Sequence, residues 1–189
     1  RPPQSDSSIL DIIGLELAGV EAVSPVAPVN WSEFNVDGTS FTVRSVLGVN
    51  EQYASVMGLE LLAGSLFTAE DVEAGAKSAV ITESLAEGLF GSSDEAIGET
   101  LQPPAAENTQ AGETQASRGK FFSPPTYTVT GVVSDPSELQ RNSYGIADMI
   151  VPYTSAFPAG GNFEQAAGFF SAQGVILVRG ETYETVEAP

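Results

Sequence analysis

The run Ser78-Ala79-Val80-Ile81-Thr82-Glu83-Ser84-Leu85-Ala86-Glu87-Gly88-Leu89-Phe90-Gly91 changes its hydrophobic period in the middle. Ser78 to Ile81 is a short apolar run, which fits a buried strand. From Ser84 onward Leu85, Ala86, Leu89 and Phe90 recur at helical spacing. Thr82 stands where a helix N-cap belongs, and Gly91 where a left-handed C-cap belongs. The run therefore predicts a strand handing directly over to a helix.

Downstream, Ala96 to Leu101 predicts extended structure. Residues 102–126 then change in kind. They are rich in Pro, Ala, Gln, Glu, Thr and Ser, with Pro-Pro pairs at 103–104 and 124–125, and hold no large apolar residue before Phe121-Phe122. That composition predicts a mobile inserted loop, serving either recognition or no purpose beyond spacing. Tyr127 to Val133 alternates and is rich in β-branched residues, which predicts a strand. Ser134-Asp135-Pro136 turns the chain. Met149-Ile150-Val151 predicts a short strand stopped by Pro152, residues 155–174 a Gly- and Phe-rich loop, and Val175 to Arg179 a last buried strand.

Upstream, Thr68-Ala69-Glu70-Asp71 has the pattern of a capped helix start. Leu61 to Phe67 is apolar around Gly64, and Tyr53, Val56, Met57 and Leu59 predict a helical turn weakened by Gly58. Apolar residues flank Asp37-Gly38 on both sides, a strong hairpin signal. Val20 to Val29 predicts a strand that Pro25 and Pro28 push to a sheet edge. Ile9, Ile13 and Leu17 are spaced as on a short amphipathic helix. The sum is about seven to nine strands with two or three short helices. Strands mixed with short helices predict an α+β fold with a mixed or largely antiparallel sheet.

Composition narrows the chemistry. The 189 residues, 42% hydrophobic, suffice for a core without metals or disulfides. With no histidine and no cysteine, Ser-His-Asp and Cys-His catalysis and the usual zinc sets are excluded. The formal charge is −18, from 25 acidic and 7 basic residues. Such a field repels phosphate backbones, so nucleic acid is not an expected partner. No apolar run approaches the ~20 residues that span a bilayer.

No phosphate loop, metal site or cofactor site is legible. Asn35-Val36-Asp37-Gly38 is a fragment of a calcium loop without its remaining ligands, and a hairpin turn accounts for it. Glu70-Asp71 fits helix N-terminal acids better than a catalytic carboxylate pair. Lys77 and Ser78 are neighbours in an extended stretch and point to opposite faces, which disfavours a Ser/Lys dyad. Trp31, Phe34 and Phe41 flank the hairpin, where aromatics are more often core or cross-strand pairs than a ligand surface. Phe121-Phe122 and Phe169-Phe170 stand in polar or Gly-rich surroundings. They are candidates either for partner contact or for anchoring their own loops.

Several segments, in order, resemble the periplasmic core domain of the MacB/FtsX-like permease family of ABC transporters. Ala18-Gly19-Val20-Glu21-Ala22-Val23-Ser24-Pro25-Val26 resembles its opening Gly-Val-x-x-Val-Ser-Pro strand. Gly48-Val49-Asn50-Glu51-Gln52-Tyr53, followed by Met57-Gly58 through Phe67-Thr68, resembles a second motif. Ala79 to Gly91 with Ala96 to Leu101 is the most specific match, and Tyr127 to Asp135 with Ile150 to Tyr153 completes the series. Ser65 departs from the family's usual Arg, and the 102–126 insertion is long.

The resemblance implies porter-like α/β units with a second, smaller β-rich subdomain, all within one extracytoplasmic domain over 1–189. It implies no catalytic residue and no cofactor. It implies a place on the outer side of the inner membrane and work as a dimer of permeases. ATP hydrolysis by a cytoplasmic ABC ATPase, fused or separate, would drive export, lipoprotein release or transmembrane signalling. An adaptor protein or a lipoprotein or peptide substrate would be a further partner. On this resemblance one membrane span is expected before Arg1 and about three after Pro189. Two alternatives remain open: a stand-alone secreted binding module using the Phe pairs and the long loop, and a hydrolase using Glu70 and Asp71.

Overall fold

The computed structural model describes residues 22, 24–29, 33–103, 125–138, 140 and 147–156. The expected helix near residues 9–17, the 104–124 part of the insertion, the 157–174 part of the Gly- and Phe-rich loop and the strand at 175–179 lie outside these residues. Nine strands, four short α-helices and a 3-10 turn are described from end to end, and Glu138 and Gln140 are also helical.

At the centre is β6 (Ser78–Thr82), with all five residues buried. It runs parallel to β8 (Tyr127–Val133) on one side and antiparallel to β9 (Met149–Pro152) on the other. β9 runs parallel to β4 (Val46–Val49), and β4 antiparallel to β1 (Val26–Pro28). Beyond β8, two strands share its far side. β5 (Leu61–Gly64) pairs with the Gly131–Val133 half, and β7 (Thr100–Leu101) with the Tyr127–Thr128 half. The order is β1-β4-β9-β6-β8-β5, with β7 beside β5's end of the same edge. The sheet is mixed, as expected, and proline-bearing β1 ends it among the described residues.

Both faces of this sheet are covered, which is why β6 reads as a continuous apolar run and not as an alternation. Ala79 and Ile81 enter one core with Phe34, Leu101, Tyr127, Met149 and Val151. Ala86 of α3 (Glu83–Phe90) and Ala96 of α4 (Ser93–Ala96) close that face, together with the hairpin of β2 (Glu33–Val36) and β3 (Thr39–Thr42). Val80 enters the opposite core, closed by Tyr53 and Met57 of α1 (Tyr53–Met57) and Val72 of α2 (Ala69–Ala74).

The register departs from simple alternation at Thr130. Pairing of β6 with β8 steps from Ala79↔Val129 to Val80↔Gly131, so Thr130 is the extra residue of a bulge. A bulge inverts the facing parity of the rest of its strand. Val129 and Val132 therefore share one core, while Val133 enters the other.

Local chemistry fixes the ends of the elements. Asp37 and Gly38 both have positive φ, 48° and 80°, the requirement of the tight turn that matches strand twist. The hairpin is tied to the main sheet by an Asn35–Gln102 bridge, with N–H···O distances of 2.8 and 3.0 Å. Gly58 does not merely weaken α1. It ends the helix in the left-handed conformation. Thr68 and Asp71 form a reciprocal capping box at α2. Thr68→Ala is expected to cost about 1 kcal/mol, read as a lowered urea midpoint with an unchanged slope.

Three expectations are corrected. Thr82 occupies the N-cap of α3, but its side chain makes no capping bond. Its hydroxyl is buried among the described residues without a partner. The service comes instead from Asp135, which lies just beyond β8: its Oδ1 accepts the Ser84 N–H at 3.3 Å, and its Oδ2 accepts the Ser84 hydroxyl. Ala96 to Leu101 is not extended throughout. Ser92 caps the short helix α4, whose last residue is Ala96, and pairing resumes only at Thr100. Pro152 does not stand beyond the end of β9 but is its last residue.

Candidate functional site

The residues singled out for chemistry are dispersed by the fold. Glu70 and Asp71 lie in the first turn of α2, and the Asp71 carboxylate accepts the Thr68 N–H at 2.8 Å. It is engaged in capping. Asn35 and Val36 end β2 and Asp37-Gly38 make the hairpin turn, and among the described residues no three acidic groups come together to hold a metal. Phe34 and Phe41 stack across the hairpin with centroids 6.1 Å apart, and Phe34 is fully buried. Their task is packing. Phe121, Phe122, Phe169, Phe170 and Trp31 lie outside the described residues.

Lys77 and Ser78 diverge as strand geometry requires. The Lys77 ammonium donates to the Ser155 carbonyl at 3.0 Å, and partial burial lowers its pKa. Ser78 is buried with its hydroxyl unpartnered among the described residues.

Near Lys77 a buried hydroxyl chain joins three elements, which sequence did not reveal. The Ser155 Oγ donates to the Pro152 carbonyl at 2.7 Å, so the Tyr127 hydroxyl, 3.0 Å away, donates to Ser155. The Ser155 proton is committed to a carbonyl. The chain is a latch between the start of β8 and the turn after β9.

Burial raises the Tyr127 pKa strongly, and pushes Tyr53 up to about 12. Unfolded tyrosines ionise near 10. Between that value and the folded pKa, the unfolded state has lost a proton that the folded state keeps, so stability falls as pH rises. Stability is expected to be level up to about pH 9 and then to fall by up to about 1.4 kcal/mol per pH unit for each tyrosine. Urea titrations from pH 8 to 12 would check this, and Tyr127→Phe should flatten the fall.

Two further surface features emerge. Leu61 and Leu62, within a run expected only to be apolar, are each 41% exposed. Arg44 pairs with Asp148 at 3.2 Å across the outside of the sheet. No helix of the described residues is long and apolar enough to cross a membrane.

The geometry thus offers packing, latches and surfaces, and comparison with known proteins agrees in kind. The profile of the family described as MacB-like periplasmic core domain matches residues 1–188. The chain belongs to that family. As a MacB-like periplasmic core domain it is 36% identical over 86 residues to the macrolide export ATP-binding/permease protein MacB 1 of Aeromonas hydrophila subsp. hydrophila. That match takes in 45% of this chain and 13% of the relative, so the chain corresponds to a small part of that protein's length.

Solved structures share the fold. The periplasmic region of MacB from Actinobacillus actinomycetemcomitans aligns with a TM-score of 0.53 at 19% identity, over 92% of this chain and 80% of that one. A domain of a putative permease protein from Porphyromonas gingivalis aligns with a TM-score of 0.52 at 23% identity, over 79% and 57%. The extracellular domain of the noncanonic ABC-type transporter YknZ from Gram-positive bacteria aligns with a TM-score of 0.54 at 18% identity, over 95% and 74%. The mixed α/β architecture with one large sheet and few helices is therefore that of MacB periplasmic domains.

Proposed function

We propose that this MacB-like periplasmic core domain is the non-catalytic, extracytoplasmic part of an inner-membrane ABC transporter permease. On this proposal it couples ATP hydrolysis in the cytoplasm to export, lipoprotein release or transmembrane conformational signalling. The observation that carries it is the family match across residues 1–188. The described residues add a physical argument: the polar clusters near the sheet are spent on capping and latching, which suits a body that moves as a unit.

The 1–189 unit acts on this proposal as one extracytoplasmic domain with a smaller β-rich subdomain. Its partners are a second permease copy, an ABC ATPase as subunit or fused domain, and an adaptor protein or a lipoprotein or peptide substrate. Phe121, Phe122, Phe169 and Phe170 are its proposed contact residues. No cofactor is required.

The test is reconstitution of the full-length gene product, with its ATPase, in proteoliposomes. Excising residues 1–189 should leave basal ATPase activity within about threefold while abolishing substrate-stimulated turnover. Stimulated turnover that survives excision would overturn the proposal. So would a gene product with a cleaved leader and no membrane spans, which describes a secreted binding module.

A further inference from the structure

We propose that the outer edge of β5 is a docking strand for an extended, apolar protein segment flanked by lysine or arginine. This goes beyond the permease assignment and rests on the described residues alone.

β5 ends the sheet order on the side away from β1, and no described strand pairs with its outer side. Natural edges are guarded by lysine, proline, an inward charge, a bulge or a very short strand. Glu60-Leu61-Leu62-Ala63-Gly64-Ser65-Leu66 has no lysine, proline or charge within the strand, its one charge stands before it, and its guards are its shortness and a bulge.

The exposure of the leucines has a geometric cause. Neighbours on a regular strand point to opposite faces, so one of a Leu-Leu pair would be expected in the core. Pairing with β8 skips from Leu61↔Val133 to Ala63↔Val132, which leaves Leu62 as a bulged residue. Bulges re-aim side chains at sheet edges. Here both leucines turn outward, and they are the exposed large hydrophobics of the described residues. Leu59 and Leu66, on either side, pack against the core and hold the strand.

Charge selects the occupant. Glu60 precedes the strand, and α4, which packs against β5, carries exposed Asp94 and Glu95, with exposed Glu99 beyond it. The two cations of the described residues are engaged elsewhere, Arg44 with Asp148 and Lys77 with Ser155. A second copy would bring the same acids against themselves, at a formal charge of −18 per chain. A basic-flanked strand satisfies the edge backbone, the leucines and the rim together.

The probe is a soluble peptide of alternating Val, Leu and Thr with two lysines at each end, titrated into the 189-residue chain. Backbone amide NMR and fluorescence anisotropy follow it. Saturable shifts at Leu61 to Ser65 are expected, weakened at least about fivefold at high salt. Glutamate in place of lysine should weaken binding about tenfold or more. N-methylation of alternate peptide amides, which blocks ladder hydrogen bonds, should abolish binding. Leu61→Ser with Leu62→Ser should do likewise, while β6 amides stay unshifted. The proposal is overturned if the lysine peptide does not bind, if the glutamate or N-methylated peptide binds equally, if shifts map away from β5, or if this edge pairs with a second copy instead.

Discussion

Gly64→Ala is expected to destabilise the domain by about 3 kcal/mol or more, while Gly58→Ala costs about 1 kcal/mol. The two glycines have similar backbones, with φ of 71° and 63°, so both alanines incur the same left-handed strain. Their surroundings differ. A Cβ at Gly58 meets nothing within 4 Å. At Gly64 it would lie 2.2 Å from the Thr130 carbonyl oxygen and 2.7 Å from Ile97 Cδ1. That carbonyl accepts the Ser65 N–H at 2.8 Å, so backing away breaks a ladder bond. The crossing is tight from both sides, since a Cβ on Gly131 would lie 2.4 Å from the Ser65 carbonyl oxygen. A loss of this size is a large fraction of a typical domain's stability of roughly 5–15 kcal/mol. Urea midpoints of the two variants measure the difference. Equal midpoints would show that β5 moves away from β8 at little cost.

Phe34→Ala is expected to cost about 3–5 kcal/mol, and Phe41→Ala about half of that or less. Phe34 is fully buried in the core under β6 and β8, whereas its stacking partner Phe41 is half-buried. Removing Phe34 opens a cavity in the buried cluster that also holds Ile81, Leu101 and Met149. Removing Phe41 mainly uncovers the hairpin. Amide exchange should show the Phe34 change accelerating opening of both the hairpin and β6. Loss of protection confined to β2 and β3 would mean that Phe34 staples the hairpin without supporting the sheet.

What sequence made legible was local. Ser78 to Gly91, Asp37-Gly38 and Thr68 to Asp71 each carry their instruction within a few residues, as period, turn chemistry or cap. All three appear as expected apart from the Thr82 side chain. The misses are long-range. Asp135 caps α3 across the sheet, and no local pattern around Thr82 announces a carboxylate arriving from the end of β8. Thr130 inverts the parity of β8 because of its register with β6, which the alternation of Tyr127 to Val133 does not contain. Leu61 and Leu62 read only as part of an apolar run. Only the bulge against β8 turns them out. The aromatic pairs picked out by composition lie outside the described residues, and the exposed apolar pair came from geometry.

β9 lies between β4 and β6, although in sequence it comes long after both, with β5, β7 and β8 intervening. Without it, β1-β4 and β6-β8-β5 are two separate ribbons, each with a bare inner edge. The sheet therefore cannot close until Met149 to Pro152 are available. During synthesis, the described strands before Met149 wait as two unjoined ribbons. Closure is then a single late insertion between two preformed edges, a high-contact-order step that should set the folding rate. The same arrangement makes the chain vulnerable to premature termination: fragments ending shortly before Met149 would expose two open edges to pair with other molecules.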